Sequence, residues 1–305
     1  MKILQRVKLI LLGVFLIIFV GLLYKKNLKV AYYKFKDLVI LKEMIFINKK
    51  VYKDQLKKYD CLPKLIKEIP IDSTIIIGHA YGRANFRRFS DSISPYVDKF
   101  IMSNKNKIQT IFFTGDVFSV PSNKKWQELY KRYKKDIEIF MIPGNHDVGN
   151  DNDNSQRNIF NIEVGKNQST DFPFMVSKSG FNIILDDSTA ENSLFDNNTE
   201  FLDDIKKENK KFLILRHHIL IKELEDNSGN TPRYYEKNLI DKKFKSFENV
   251  IFISGNGSHK KNYNRISCFK HDKYLHILNG IGEVKNDNIL ILNNHNIYRY
   301  ELNKF

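Results

Sequence analysis

Cysteine is scarce in this chain of 305 residues: there are two, Cys61 and Cys268. They stand far apart and neither belongs to a C-x-x-C pair, which excludes a zinc knuckle and a disulfide framework. Two free thiols are expected, with a single long-range bridge as the less favoured alternative. An Arg-rich stripe and an aromatic-basic RNA-binding motif are also missing. The formal net charge of +15 and the pI of ≈ 9.5 favour anionic partners in general. The Lys residues are spread along the whole sequence, however, and read as solvated surface, so nucleic acid is not an expected partner. Neither an internal repeat nor a low-complexity linker is present, which excludes repeat arrays. With 42% hydrophobic and 28% charged residues, the chain is not a disordered one. Its length suffices for one large domain or two small ones.

One long apolar run is present. Residues 1–8 form a short basic N-terminus with Lys2, Arg6 and Lys8, and Leu9–Tyr24 is then uncharged and apolar on every side. That length is near the lower limit of the roughly 17–25 residues that span a bilayer, and Lys8 and Lys25 can snorkel to extend it. A cleaved signal peptide is the rival, but the run is followed by no good small-x-small cleavage site; Val20-Gly21-Leu22 is a poor one. We expect a single-pass transmembrane anchor at 9–24. Its orientation stays open: the positive-inside rule leans towards a cytoplasmic domain, and short basic-flanked N-termini often give the reverse. Residues 25–70 read as a mixed helical stem, closed by Leu62-Pro63 and Ile69-Pro70. The main domain is expected at 71–305.

From Thr74 the pattern alternates strands with helices. Strands are expected at Thr74–Ile77, Gln109–Phe113 and Ile137–Ile142, with helices around Pro95–Asn104 and Asn123–Tyr133, the latter capped by Asn123. Phe174–Val176 and Asn182–Leu185 read as a hairpin, and Thr199–Lys207 as a helix. Further strands follow at Phe212–Leu215, Val250–Ile253, Arg265–Phe269, Tyr274–Leu278, Ile289–Leu292 and Ile297–Tyr300. The sum is an α/β fold, a two-sheet sandwich with helices outside.

Chemistry collects where these apolar runs stop. Ile139–Ile142 ends at Pro143-Gly144, and Asn145-His146-Asp147 follows at once. Two other runs end in Thr114-Gly115-Asp116 and Arg216-His217-His218. Two more end in Gly78-His79-Ala80-Tyr81-Gly82 and Gly255-Asn256-Gly257-Ser258-His259. Any one of these is also an ordinary turn, because Gly, Asn and Asp are turn residues. Five in order each carry oxygen or nitrogen groups able to ligate a metal, at the carboxyl ends of strands where open α/β sheets build their active sites.

The order and spacing of these five blocks, over about Thr74 to Asn294, resemble the calcineurin-like metallophosphoesterases, whose blocks are D-x-H, G-D, G-N-H-D/E, H and G-H-x-H. The most specific part of the match is Gly144-Asn145-His146-Asp147. The resemblance implies a two-sheet sandwich flanked by helices and one or two divalent ions, such as Mn, Zn or Fe, that activate water against a phosphate ester. It makes Asp116 the metal-bridging carboxylate, and Asn145 and His217 ligands of the second metal. His146 becomes the histidine that contacts phosphate and protonates the leaving oxygen, with Asp147 orienting it by accepting its ring proton. The first and last blocks depart from the pattern. His79 stands for the family's Asp, Tyr81 for its His, and Asn256 for the histidine of the last block, with His259 one place beyond the motif. His79 remains a nitrogen donor and Asn256 an amide substitute. Tyr81 would ligate only with its pKa brought well below ~10.

Arg83, with Arg87 and Arg88 behind it, offers bidentate phosphate contacts or an ordinary helix surface. His218 is either a substrate contact or a structural neighbour of His217. Asp151-Asn152-Asp153-Asn154 lacks the Gly and Glu of a calcium loop and reads as solvated. Asp186-Asp187 reads as turn chemistry, and His271, His276 and His295 as structural. The expectation is a membrane-anchored, metal-dependent hydrolase of phosphate mono- or diesters, with an envelope component as a candidate substrate. The alternative is a catalytically inactive protein of the same fold that serves as a membrane-tethered binding or assembly factor.

Overall fold

Side chains alternate between two buried layers along every central strand. In β2 (Ser73–Ile77) and β3 (Ile108–Thr114), Ile75, Ile77, Ile111 and Phe113 face one core, while Ile76 and Phe112 face another. This is the two-residue period of a strand with both faces covered, and it explains why these segments read as unbroken apolar runs. The computed structural model describes residues 61–82, 92–149, 154–189, 193–195, 199–205, 211–220, 237–256, 266–271, 273–282 and 287–302. The anchor expected at 9–24 and the stem up to residue 60 lie outside them. Among the described residues no helix is long and apolar enough to cross a membrane.

The first sheet has the order β1-β12-β11-β2-β3-β4, where β1 is Lys64–Ile66, β4 Glu138–Ile142, β11 Asn288–Asn293 and β12 Asn296–Glu301. Pairing is parallel along β2-β3-β4 and antiparallel at β11. The second sheet has the order β5-β6-β7-β8-β10-β9, with β5 Phe174–Lys178, β6 Phe181–Leu185, β7 Phe212–Arg216, β8 Val250–Ser254, β9 Ile266–His271 and β10 Tyr274–Asn279. Its centre is parallel and both of its edges are antiparallel.

Between the sheets lies one apolar layer, with Ile76, Phe112, Ile142 and Leu290 from the first and Ile183, Leu213, Leu215 and Ile253 from the second. Helices cover the outer faces. On the first sheet, α1 (Pro95–Ser103), α2 (Asn123–Tyr133) and α4 (Asn154–Gly165) bury Val97, Trp126, Leu129 and Phe160. On the second, α5 (Thr199–Ile205) and α6 (Lys237–Phe244) bury Leu202, Ile240 and Phe244. One turn of helix, α3 (Asn145–Val148), follows β4 directly. The expected two-sheet α/β architecture is the one observed.

Several details differ from expectation. The N-cap of α2 is Ser122, whose hydroxyl accepts from the Lys125 N–H, one residue before the expected Asn123. β1 lies within the stretch assigned to the stem and pairs in parallel with β12, so the first sheet begins before residue 71. Asn154–Gly165 forms α4, a helix that was not expected and that starts at the last residue of the stretch read as solvated. Cys61 and Cys268 are not free thiols: they form a disulfide across 207 positions, with a Cα–Cα distance of 5.7 Å.

Candidate active site

The carboxyl ends of β2, β3 and β4 meet those of β7 and β8, and the backbone is bent hard to bring them together. His79 and Asp116 both take left-handed backbone, each at φ 56°, a conformation that non-glycine residues adopt only under constraint. The constraint is visible: the His79 N–H donates to the Gly115 carbonyl at 3.1 Å, and the Gly82 N–H returns to the His79 carbonyl at 2.8 Å. Gly144 is required by close approach, since a Cβ there would collide with the backbone and carboxylate of Asp116. Gly255 is pressed in the same way against the Thr114 carbonyl.

Asp116 is the hub. Its Oδ1 accepts the backbone N–H of His146 at 3.0 Å and lies 3.4 Å from Nε2 of His217. Its Oδ2 lies 3.0 Å from Nε2 of His79 and accepts from the Tyr81 hydroxyl at 3.3 Å. The Tyr81 oxygen is itself 3.2 Å from Nε2 of His79. Burial pushes the Asp116 carboxyl up, but His217, His79 and His146 outweigh it and hold it well below the usual carboxylate range. Tyr81 goes the other way. Burial first, then Asp116 and Asp147, hold its phenol well above the ordinary value, so its hydroxyl keeps its proton and donates a hydrogen bond to Asp116.

His217 is fixed from both sides. Nδ1 meets the Thr114 carbonyl at 3.1 Å and Nε2 lies 3.2 Å from Oδ1 of Asn145. Burial pushes its ring below the ordinary imidazole value, against the pull of Asp116. Asn256 follows, its N–H on the His217 carbonyl at 2.8 Å. Its side-chain Oδ1 is buried and has no hydrogen-bond partner among the described residues.

The role expected for Asp147 is corrected. Its carboxylate accepts from the N–H groups of Val117, Phe118 and Gly144 at 2.9, 3.2 and 3.0 Å. It ties the Asp116 loop to the α3 turn and does not hold the His146 ring. That ring is oriented by the Ser119 carbonyl, 3.0 Å from Nδ1, and its side chain remains half-buried at the site. With Nδ1 committed to a carbonyl, Nε2 is the atom left to exchange a proton.

His218 does not serve as a substrate contact. It is buried, with Nδ1 near the Ser188 hydroxyl and carbonyl, and burial, then His217 and Arg216, push its pKa down to about 3. Arg83 lies outside the described residues, as do Asp151, Asn152, Asp153 and His259. Asp187 does make an Asx turn to the Thr189 N–H at 2.8 Å. Asp186 is more than a turn residue: it accepts from the Leu194 N–H and faces Arg216 at 3.6 Å. Arg216 in turn donates Nε to the His218 carbonyl at 2.9 Å and lies over the Phe195 ring. This buried support for the His217-His218 turn was not anticipated; an arginine closing an otherwise apolar strand is the signal that marks it.

The donor set suits a divalent ion on one side of Asp116. Ligand atoms bound at about 2.0–2.2 Å lie about 2.8–3.6 Å from each other, and His217 Nε2 lies at such distances from Asp116 Oδ1, 3.4 Å, and from Asn145 Oδ1, 3.2 Å. Among the described residues no three His, Cys, Asp or Glu side chains form a ready metal cage; the further donors that could hold an ion are amides, Asn145 Oδ1 beside His217 and the partnerless Oδ1 of Asn256. A cavity of ≈ 640 Å³ between α1 and α2, lined by Asp98, Lys125 and Arg132 among others, is not formed by these residues.

The family model for calcineurin-like phosphoesterases matches residues 82–303. The altered His79–Tyr81 block falls just before that span. No curated protein matches the sequence. Among solved structures, a purple acid phosphatase from yellow lupin (Lupinus luteus) seeds aligns at 10% identity with a TM-score of 0.52, over 77% of this chain and 54% of that one. The chain thus spans about half of the lupin protein, and at this identity the likeness concerns the fold. A Thermus thermophilus protein aligns at 8% identity and a TM-score of 0.42, over 76% of this chain and 100% of that one. With a family match over most of its length, the chain belongs to the calcineurin-like phosphoesterase family.

Proposed function

We propose that the protein is a membrane-anchored, metal-dependent phosphoesterase that hydrolyses a phosphate mono- or diester. The observation that carries this reading is the double use of Asp116 Oδ1, which holds the backbone of His146 and faces Nε2 of His217. One carboxylate oxygen thereby links the candidate metal ligands to the candidate proton donor. Asp116, Asn145 and His217, with Asn256 beside them, would hold the ion, of which Mn, Zn and Fe suit such oxygen and nitrogen donors. When bound, that ion supplies Lewis acidity toward the ester and lowers the pKa of water. His146, anchored through Nδ1, gives a proton from Nε2 to the departing oxygen. Asp147 and Ser119 keep its loop in place.

The Cys61–Cys268 bridge bears on where this happens. Disulfides persist in oxidising compartments and are rare in the cytosol, which supports a domain on the outer side of the membrane and an envelope phosphate ester as substrate class. The non-catalytic reading keeps one observation in its favour, the engagement of Asp116 Oδ2 by His79 and Tyr81. Turnover of mono- and bis-p-nitrophenyl phosphate with Mn²⁺, Zn²⁺ or Fe²⁺ separates the two. Hydrolysis that falls at least ~100-fold in Asp116→Ala and in His146→Ala, the scale of a lost general acid, supports the enzyme. Absence of turnover with every ion and both esters favours the binding protein.

A further inference from the structure

The two departures from the family pattern in the first block act together on one atom. Oδ2 of Asp116 accepts from the Tyr81 hydroxyl and lies 3.0 Å from Nε2 of His79, while the hydroxyl and Nε2 close a triangle at 3.2 Å. All three side chains are almost wholly buried. A carboxylate bridges two ions either with one oxygen to each or through one shared oxygen, and the bonds of Tyr81 and His79 to Oδ2 occupy the oxygen that the first mode needs. Here Oδ1 faces His217 and accepts from the His146 N–H, while Oδ2 accepts from the Tyr81 hydroxyl with Nε2 of His79 beside it.

Charge points the same way. Paired catalytic ions sit about 3.5–4 Å apart and need anionic ligands to offset their repulsion. Among the described residues around this centre, Asp116 is the one carboxylate available. Asp147 is turned onto three backbone N–H groups. His79 and Tyr81 add donors without adding negative charge. Their positions are also held by the main chain: left-handed backbone at His79, the Gly115 and Gly82 hydrogen bonds, and the Tyr81 N–H on the Asp116 carbonyl at 3.5 Å. The Tyr81 ring is wedged between the rings of His79 and His146, at centroid distances of 4.5 and 5.3 Å.

We propose that this centre takes a single divalent ion, on the Oδ1 side of Asp116, and that His79 and Tyr81 replace the second ion by bonding Oδ2. The proposal rests on the metal-dependent reading above. The test is the stoichiometry of the purified full chain in detergent, stripped with chelator and titrated with Mn²⁺, followed by elemental analysis and by electron paramagnetic resonance. One Mn²⁺ per chain with an uncoupled six-line spectrum is expected. Two Mn²⁺ with an exchange-coupled spectrum would overturn the single-ion centre and leave the phosphoesterase reading standing; no bound Mn²⁺ would overturn both. The double variant His79→Asp/Tyr81→His returns a carboxylate and an imidazole to the Oδ2 side and is expected to take a second ion. If it folds and still takes one, the exclusion does not come from these residues. Tyr81→Phe, which removes only the hydroxyl, is expected to keep one ion.

Discussion

Nε2 of His217 and Oδ1 of Asn145 lie 3.2 Å apart, although the residues are 72 positions apart in sequence and follow strands of different sheets. The site therefore closes only when both sheets are in register. Removing the imidazole removes an ion ligand and leaves the Thr114 carbonyl without its partner. His217→Ala is expected to weaken Mn²⁺ binding by at least ~100-fold, beyond the 10–100-fold typical of residues that merely support a ligand. Calorimetric titration of the stripped protein measures it. Unchanged affinity would remove His217 from the ligand set.

Asp147 and His146 are neighbours with opposite expected phenotypes. Asp147→Ala strips three buried N–H groups of their acceptor, each worth about 1–3 kcal/mol when left unsatisfied. It is expected to destabilise the fold by several kcal/mol in urea denaturation. His146 is half-buried and bonded to a single carbonyl through its side chain, so His146→Ala is expected to change stability by about 1 kcal/mol or less while abolishing turnover. Equal destabilisation by the two variants would contradict this division.

His218 gives the fold an acid limit. Its ring is pushed down to about 3 in the folded chain and titrates near ~6.5 when unfolded. Between those values the unfolded chain binds a proton that the folded chain refuses. Stability is therefore complete above pH ~6.5 and falls below it, by up to about 1.4 kcal/mol per pH unit. Urea melts between pH 7.5 and 5 should show this slope in the wild type and a shallower one in His218→Gln. Parallel profiles would show that another group sets the limit.

The Cys61–Cys268 bridge closes a loop of 207 positions. Such cross-links typically stabilise by about 2–4 kcal/mol by restricting the unfolded chain. Cys268→Ser, or reduction of the wild type, is expected to lower the midpoint of denaturation correspondingly. Protein alkylated in intact cells should carry no free thiol, whereas two alkylated cysteines would put the domain in a reducing compartment.

Much of this architecture is legible in the sequence, and for a physical reason. Strands covered on both faces must be continuously apolar, so β2, β3, β4, β7 and β8 stand out, and so do the polar residues that end them. β1 was not legible because three residues carry no period. Asn154–Gly165 was missed because its Asn-rich beginning reads as loop. The convergence of Asp116, Asn145 and His217 follows from strand order, yet the partners of their neighbours do not. The Ser119 and Thr114 carbonyls and the N–H groups that hold Asp147 belong to the backbone, which every residue has, so no residue type announces them. Tyr81 looked like a lost ligand; only the folded geometry shows its hydroxyl on Asp116. The cysteine pairing was equally hidden, because neither residue belongs to a motif.

The central claim is that Asp116 organises a divalent-ion centre that hydrolyses phosphate esters. The most direct measurement is the rate of bis-p-nitrophenyl phosphate hydrolysis by the full chain, first stripped of metal and then supplied with Mn²⁺, beside Asp116→Ala treated identically. The account predicts that stripping brings the wild type to background, that Mn²⁺ restores its rate, and that Asp116→Ala stays at background throughout. A stripped protein that keeps its rate, or an Asp116→Ala variant that recovers with Mn²⁺ as the wild type does, would contradict it.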